Sequence, residues 1–130
     1  MFENLQIFRM SESMARHAGQ RQTVIAENMA NADTPGFKAR DILPFPETLN
    51  RTAPGFAARA TRASHLNGSA GDQGAYESFR DRNMWTSPNG NSVSLEQQVL
   101  KSVEVQQEHS RALSIYRSAL TIMRTSIGRR

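Results

Sequence analysis

Asn28-Met29-Ala30-Asn31-Ala32-Asp33-Thr34-Pro35-Gly36-Phe37 decides how this chain of 130 residues folds, because it ends a long amphipathic helix and turns the backbone in one fixed way. Pro35 pushes Thr34 out of helical geometry, and Pro followed by Gly suits the central positions of a type II turn, the second of which needs positive φ. The reading is a helix over residues 1–33 and a Pro-Gly turn with an extended stretch over residues 34–43. Asn28 and Asn31 are three residues apart and so share a helix face, where they present their amides side by side. Phe37 stands behind the turn as an aromatic anchor, followed by Lys38.

Upstream, Leu5, Phe8, Ala15, Ala18, Ile25, Met29 and Ala32 fall on one helical stripe, interrupted by Glu12 and Gln22. Ile7, Met10, Met14 and Val24 form a partial second stripe, broken by His17 and Arg21. A helix packed within a monomer needs one apolar face, so the second implies packing against neighbouring chains. The C-terminal segment repeats the design. Asn89-Gly90 is a turn dipeptide, and Ser94 with Gln97 three residues later reads as a capping box. A main stripe of Leu95, Val99, Val103, Leu113, Tyr116, Leu120, Met123 and Ile127 follows, with Ile115, Ala119 and Ile122 on another face, and Gly128 as the stop. The two helices, over residues 1–33 and 94–128, would be about 45 and 50 Å long at 1.5 Å per residue. Gln106-Gln107-Glu108-His109-Ser110-Arg111 is polar all round; it reads as a solvated stretch, or as polar contact that fixes register.

Residues 44–93 carry Pro44, Pro46, Pro54, Pro88, Gly55, Gly68, Gly71 and Gly74 with no sustained period, the pattern of irregular, partly disordered or weak β structure. Short β patterns lie near Tyr76–Phe79 and Met84–Thr86. The expected fold class is mainly α: long N-terminal and C-terminal helices packed as a coiled-coil-like pair, an extended loop or weak β middle, and one assembly domain in total.

Composition narrows the function. Hydrophobic residues make up 38% of the chain and mean hydropathy is −0.58, so the core is spread along the helices. The net charge of +4 invites a nucleic-acid reading. Most of the excess, however, lies in residues 94–130, where Arg124, Arg129 and Arg130 complement the negative end of a helix dipole, and no basic stripe with interleaved aromatics appears. There is no cysteine, which excludes disulfides and thiolate chemistry. The start, Met1-Phe2-Glu3-Asn4-Leu5, has no basic n-region followed by an apolar h-region, so if the chain leaves the cytoplasm it is expected to do so without a cleaved signal peptide, and no stretch reads as a membrane span. His17, His65 and His109 are far apart, without metal-ligand spacing, and read as solvated or interface histidines. Asp33-Thr34-Pro35-Gly36 lacks the further ligands of a calcium loop. No catalytic residue, metal or cofactor is expected. Trp85 and Phe79 are either partner anchors or a cover for the chain's own helices.

The run Asn31-Ala32-Asp33-Thr34-Pro35-Gly36-Phe37-Lys38-Ala39-Arg40-Asp41 resembles the signature of bacterial flagellar basal-body rod proteins. A second block, Pro88-Asn89-Gly90-Asn91-Ser92-Val93-Ser94-Leu95-Glu96, resembles the segment before the C-terminal helix in that family, with Asn89, Gly90, Asn91 and Val93 as its pre-helix motif. The likeness covers residues 2–43 and 84–128, and the middle only loosely, through Thr61-Arg62-Ala63-Ser64-His65. Phe37 stands where the family often has Tyr. The resemblance implies a non-enzymatic structural subunit of the proximal rod, whose terminal helices assemble into the axial drive shaft needed for motility. It implies an assembly motif of Asn28, Asn31, Thr34, Pro35, Gly36, Phe37 and Lys38, self-association in a helical assembly, and no cofactor. The implied partners are other rod subunits, the adapter to the inner-membrane ring and the flagellar export gate, with no nucleic acid and no direct membrane span. The implied location is the periplasm-spanning rod of the basal body, reached through the flagellar type III apparatus. Two alternatives come from other classes: a basic helical nucleic-acid-binding module, and a cytoplasmic adaptor or export chaperone built on a helical hairpin.

Overall fold

A computed structural model describes residues 2–51, 76–82 and 85–128. The first helix, α1, runs without a break over Phe2–Ala30, a stretch that contains no proline. It stops three residues before Asp33, because residues 31–33 tighten into turns that lead to the Pro-Gly step. Strand β1 is Arg40–Ile42, helix α2 Phe45–Arg51, strand β2 Ser78–Arg80 and helix α3 Leu95–Ile127. Short α2 falls where the two prolines suggest irregular chain; Pro46 sits in its first turn, the position a helix tolerates, and Glu47 beside it suits the positive end of the dipole. The two strands pair antiparallel, Arg40 with Arg80, Asp41 with Phe79 and Ile42 with Ser78. No strand forms at Trp85–Thr86. Met84 and the Thr61–His65 block lie outside the described residues.

The two long helices lie side by side in opposite directions. Phe8 meets Tyr116 edge to face, with centroids 5.2 Å apart, at one end, and Asn28 reaches Gln98 at the other. Their contact follows a seven-residue repeat: Gln98, Val105, Ala112 and Ala119 are the buried residues of α3. On α1 the buried positions Ser11, Ala18 and Ile25, and then Arg21 and Asn28, repeat with the same period. This is the pattern of a left-handed coiled-coil pair. Its apolar centre is small, made of Ala18, Ile25 and Val105.

The apolar stripes of the sequence distribute differently from a simple packing face. Ala18 and Ile25 enter the seam, Phe8, Leu120 and Met123 are half-buried, and the side chain of Leu5 lies outside the described residues. Met29, Leu113 and Tyr116 remain exposed, and so, more strongly, do Leu95, Val99, Val103 and Ile127. The seam is built from small and polar residues because these let two backbones approach closely, while the large apolar side chains of α3 point to the other side. Ser94 is the N-cap of α3 through its backbone alone: its carbonyl accepts from Gln98 N–H, but its side chain makes no capping bond, so the expected box with Gln97 does not form. Gly128 closes the helix, its N–H bonded to Arg124 O at 2.8 Å.

Ala112 is fully buried in the seam whereas Leu100 is 62% exposed, so the two positions should respond oppositely to a change of size. Ala112→Leu is expected to cost about 1–3 kcal/mol by overpacking, and Leu100→Ala less than about 0.5 kcal/mol. Urea unfolding followed by circular dichroism measures both, and similar losses would show that the seam is misplaced.

Candidate assembly site

The two segments that stand out in the sequence close on each other in space. The first is the end of α1. Asn31 N–H bonds back to Glu27 and Asn28 carbonyls, Ala32 to Met29 and Thr34 to Asn31, which tightens the last turn. Phe37 N–H then bonds Thr34 O at 3.3 Å, and Gly36, at φ 74°, takes the left-handed position of the type II turn expected from Pro35-Gly36. The second segment is a hairpin loop: Gly90 N–H bonds Ser87 O at 2.8 Å, Ser87 N–H bonds Asn91 O at 2.7 Å, and Gly90 has φ 81°. This is the three-residue loop in which a glycine takes the bulge position.

Asn91 joins them. Its side-chain N–H groups donate to the carbonyls of Asn31, Ala32 and Thr34 at 2.9, 2.8 and 2.8 Å, sharing two hydrogens among three acceptors. Its own carbonyl oxygen accepts from Val93 N–H at 2.7 Å, and its backbone N–H is held by Asn89 Oδ1. Around it Gly36 N–H bonds Asn89 O, Ser92 N–H bonds Phe37 O, Ala39 N–H bonds Ser92 Oγ, and Lys38 Nζ donates to Gly90 O at 2.6 Å. The glycines meet face to face: a Cβ on Gly90 would lie 3.3 Å from Gly36 Cα, tighter than ordinary contact. Asn31 and Thr34 complete the turn through an Oγ1 to Oδ1 bond. Phe37 is half-buried, and Val93 is half-buried beside the start of α3.

Asn28 does not act beside Asn31. It turns inward, fully buried, and pairs with the backbone of Arg40 as a peptide would, accepting from its N–H at 3.0 Å and donating to its carbonyl at 2.6 Å. The same amide donates to Gln98 Oε1 at 3.1 Å, so one side chain ties α1 to β1 and α3. Asn31 instead bonds Glu27 O on the outer side of the helix end.

A buried ionic group lies next to it. Asp41 receives Arg21 Nε at 2.9 Å and Nη2 at 3.3 Å from α1, Lys101 Nζ at 2.8 Å from α3, and Ile42 N–H at 2.8 Å. Lys101 also reaches Asp81 at 2.9 Å, just past β2. Burial alone would push the Asp41 carboxyl up, but bonds from Arg21 and Lys101 and the Arg21 charge outweigh it and hold the carboxyl below its usual range. Burial likewise disfavours charge on Lys101 and Arg21, and the facing carboxylates overcome it, so both are raised. Glu104 and Glu108 of α3 add to the field at Arg21, which makes Glu108 the one member of the polar run 106–111 that turns partly into the pair.

His17 corrects the reading of the histidines: it is completely buried, while His109 is exposed and His65 lies outside the described residues. Its Nε2–H donates to Leu43 O at 2.7 Å, and its ring meets Phe45 and Tyr76 at centroid distances of 5.5 and 4.7 Å. Tyr76 is tied to the same helix through Ser13 O and Gln20 Oε1. Of the aromatic candidates, Trp85 is 78% exposed and Phe79 is exposed as well, so neither covers the helix pair. Among the described residues there is no group of three or more potential metal ligands, and no helix is long and apolar enough to cross a membrane.

Arg21, Asp41, Lys101 and Gln98 belong to this site without standing out as packing residues in the sequence. Arg21 reads there as a break in an apolar stripe. The available signal was the seven-residue spacing of Arg21 with Asn28.

Long helices with a narrow polar seam, locked at one end and apolar on the outside, define a structural protein of the helical-assembly class. The comparisons agree with it. The family model described as flagella basal body rod protein matches residues 13–38, from mid-α1 through the Pro-Gly turn to Lys38. The chain is similar to the flagellar basal body rod protein FlgB of Agrobacterium fabrum, 28% identical over 129 residues that cover 96% of this chain and 95% of the relative. It is also similar to FlgB of Buchnera aphidicola, 42% identical over 53 residues covering 40% of this chain and 39% of that one. The family model and both relatives point to the same kind of protein, a flagellar basal-body rod protein.

Asn91→Ala should cost about 1–3 kcal/mol, since it removes the three hydrogen bonds of a buried amide to the turn after α1 and leaves Ala32 O with no donor among the described residues; unfolding in urea reads it. The ionic group sets a pH window. With the Asp41 value lowered on folding, its contribution is full above the ordinary carboxylate range near 4 and is lost as pH falls through the folded value. With Lys101 raised, its contribution is full below the ordinary lysine value near 10 and is lost as pH rises through the folded one. Stability should be flat between these limits, and Asp41→Asn should lower it by about 3 kcal/mol at neutral pH and remove most of the acid limb. An acid limb unchanged in Asp41→Asn would place the titrating group elsewhere.

Proposed function

We propose that the chain works in the proximal part of the flagellar rod, where its terminal helices pack against those of neighbouring subunits to build the shaft that transmits torque. The coarser statement needs no proposal: the chain is a structural subunit of the flagellar basal-body rod. Its family indicates a structural role, association with other rod components and a place in the basal body. Nucleic-acid binding and a cytoplasmic adaptor role have no support.

One observation carries the mechanical part of the proposal. The seam of the helix pair holds few large apolar residues, while Leu95, Val99, Leu100 and Val103 cover the outside of the first turns of α3, and Ile115, Ile122 and Ile127 continue near its end. An apolar face of this extent is stable only when covered. Contacts that join unlike faces and do not close on themselves generate an open helical array, the geometry of a shaft. In this reading Pro35-Gly36 and its clasp set the direction in which the chain leaves the packed helices. The adapter to the inner-membrane ring and the export gate are proposed partners at the base of the rod, and the route is the export apparatus of the axial proteins.

Mass spectrometry of hook–basal bodies purified from the chain's own cells tests this: the chain is expected there in fixed proportion to other rod subunits, and its recovery in the soluble fraction alone would overturn the reading. The double substitution Pro35→Ala, Gly36→Ala should abolish incorporation and motility while leaving export of the chain largely intact. Normal motility in that variant would remove the turn from the assembly mechanism.

A further inference from the structure

Among the described residues, the two-stranded sheet is used on one edge and open on the other. In an antiparallel pair, residues alternate between those that bond their partner strand and those whose N–H and C=O point away. Arg40 is of the second kind in β1, and its two groups are taken by the Asn28 amide. Its partner Arg80 is therefore of the same kind in β2, as is Ser78 opposite Ile42, while Asp81 N–H bonds inward to Ala39 O at 2.9 Å. The backbone groups of Ser78 and Arg80 face outward and meet no partner among the described residues.

The charges on this hairpin are sorted. Asp41 and Asp81 are held by Lys101, and Asp41 also by Arg21. Arg40 and Arg80 are directly opposite each other, so their side chains leave the same face, and both are exposed. Exposed Arg82 follows two residues after Arg80. None of the three has a carboxylate within ion-pair distance among the described residues. Like charges directly opposite each other in a sheet are destabilising, and it is the Arg40 backbone, not its side chain, that Asn28 holds.

A strand edge that is open, and arginines that are unpaired, among the described residues fit one kind of occupant. We propose that β2 is a docking edge for an extended, acidic segment of a partner protein, which adds as a further strand on Ser78 and Arg80 and places alternate carboxylates against Arg40, Arg80 and Arg82. Backbone bonds would supply the affinity and the arginines the choice of sequence. This inference goes beyond the rod reading and does not rest on it.

The test uses the purified full chain, checked for helix content by circular dichroism, and fluorescence anisotropy with a labelled peptide of alternating glutamate and valine. Three controls accompany it: the same peptide N-methylated at alternate residues, oligothymidylate, and phosphatidylglycerol vesicles. Binding of the plain peptide is expected, weakened by salt, lost on N-methylation, and about tenfold weaker in Arg40→Gln, Arg80→Gln. That variant should keep or slightly exceed the parent's unfolding midpoint in urea. No binding, or equal binding of the N-methylated peptide, overturns strand addition. Stronger binding of oligothymidylate or vesicles assigns the arginines to a polyanion and overturns the acidic segment. A loss of stability in the variant makes the arginines structural and overturns their role in recognition.

Discussion

A helix that ends at a turn must find donors for the carbonyls around its end, and here a single asparagine from elsewhere in the chain donates to three of those just past it, Asn31, Ala32 and Thr34. Asn91 lies 60 residues after Asn31, whose carbonyl it holds. The Pro-Gly turn, the paired glycines Gly36 and Gly90, and the bond from Lys38 to Gly90 are all arranged about that contact. Because Asn91 is followed within four residues by Leu95, the contact also fixes where α3 begins. The direction of the chain after α1 and the start of α3 are thus set by the same few hydrogen bonds.

Below the clasp, register comes from polar groups. Asn28 to Gln98, and Arg21 and Lys101 to Asp41, are pairings that a shift of one heptad would break, leaving buried amides and charges without partners. Ala112 and Ala119 near the other end would tolerate such a shift far better. The pair is therefore specified at its clasped end and merely compatible at its open end, where Ile7 and Met10 of α1 and Ile115 and Ile122 of α3 are exposed. In the assembly proposed above, stability and contact with neighbours fall to different residues of the same helices.

This division explains which features were legible in the sequence. The two helices, their near-correct ends, and the Pro35-Gly36 turn follow from period, breaker residues and the φ that glycine permits, all local signals. The partner of the turn is not local: nothing in the spacing of Asn89, Gly90 and Asn91 says that Asn91 reaches Thr34. The packing face was misjudged because apolar size is a poor guide where a seam is narrow. Ser11, Arg21, Asn28 and Gln98 occupy it, and Leu95, Val99 and Val103 do not. His17 was missed for the same reason, since a histidine that breaks an apolar stripe looks solvated until Leu43, Phe45 and Tyr76 close around it.

Closing the clasp requires the chain between its halves to loop back, at an entropic cost that grows only slowly with loop length. What the contact then provides is disproportionate to its size, because its bonds converge on the buried Asn91 and Ser92 side chains. The outer face of α3 starts only a few residues beyond Asn91, so covering Leu95 and Val99 on a neighbour would restrain the same residues that hold the end of α1. Assembly and closure of the clasp then stabilise each other by thermodynamic reciprocity, and a subunit that has lost Asn91 should be held more weakly by neighbours it never touches through that side chain.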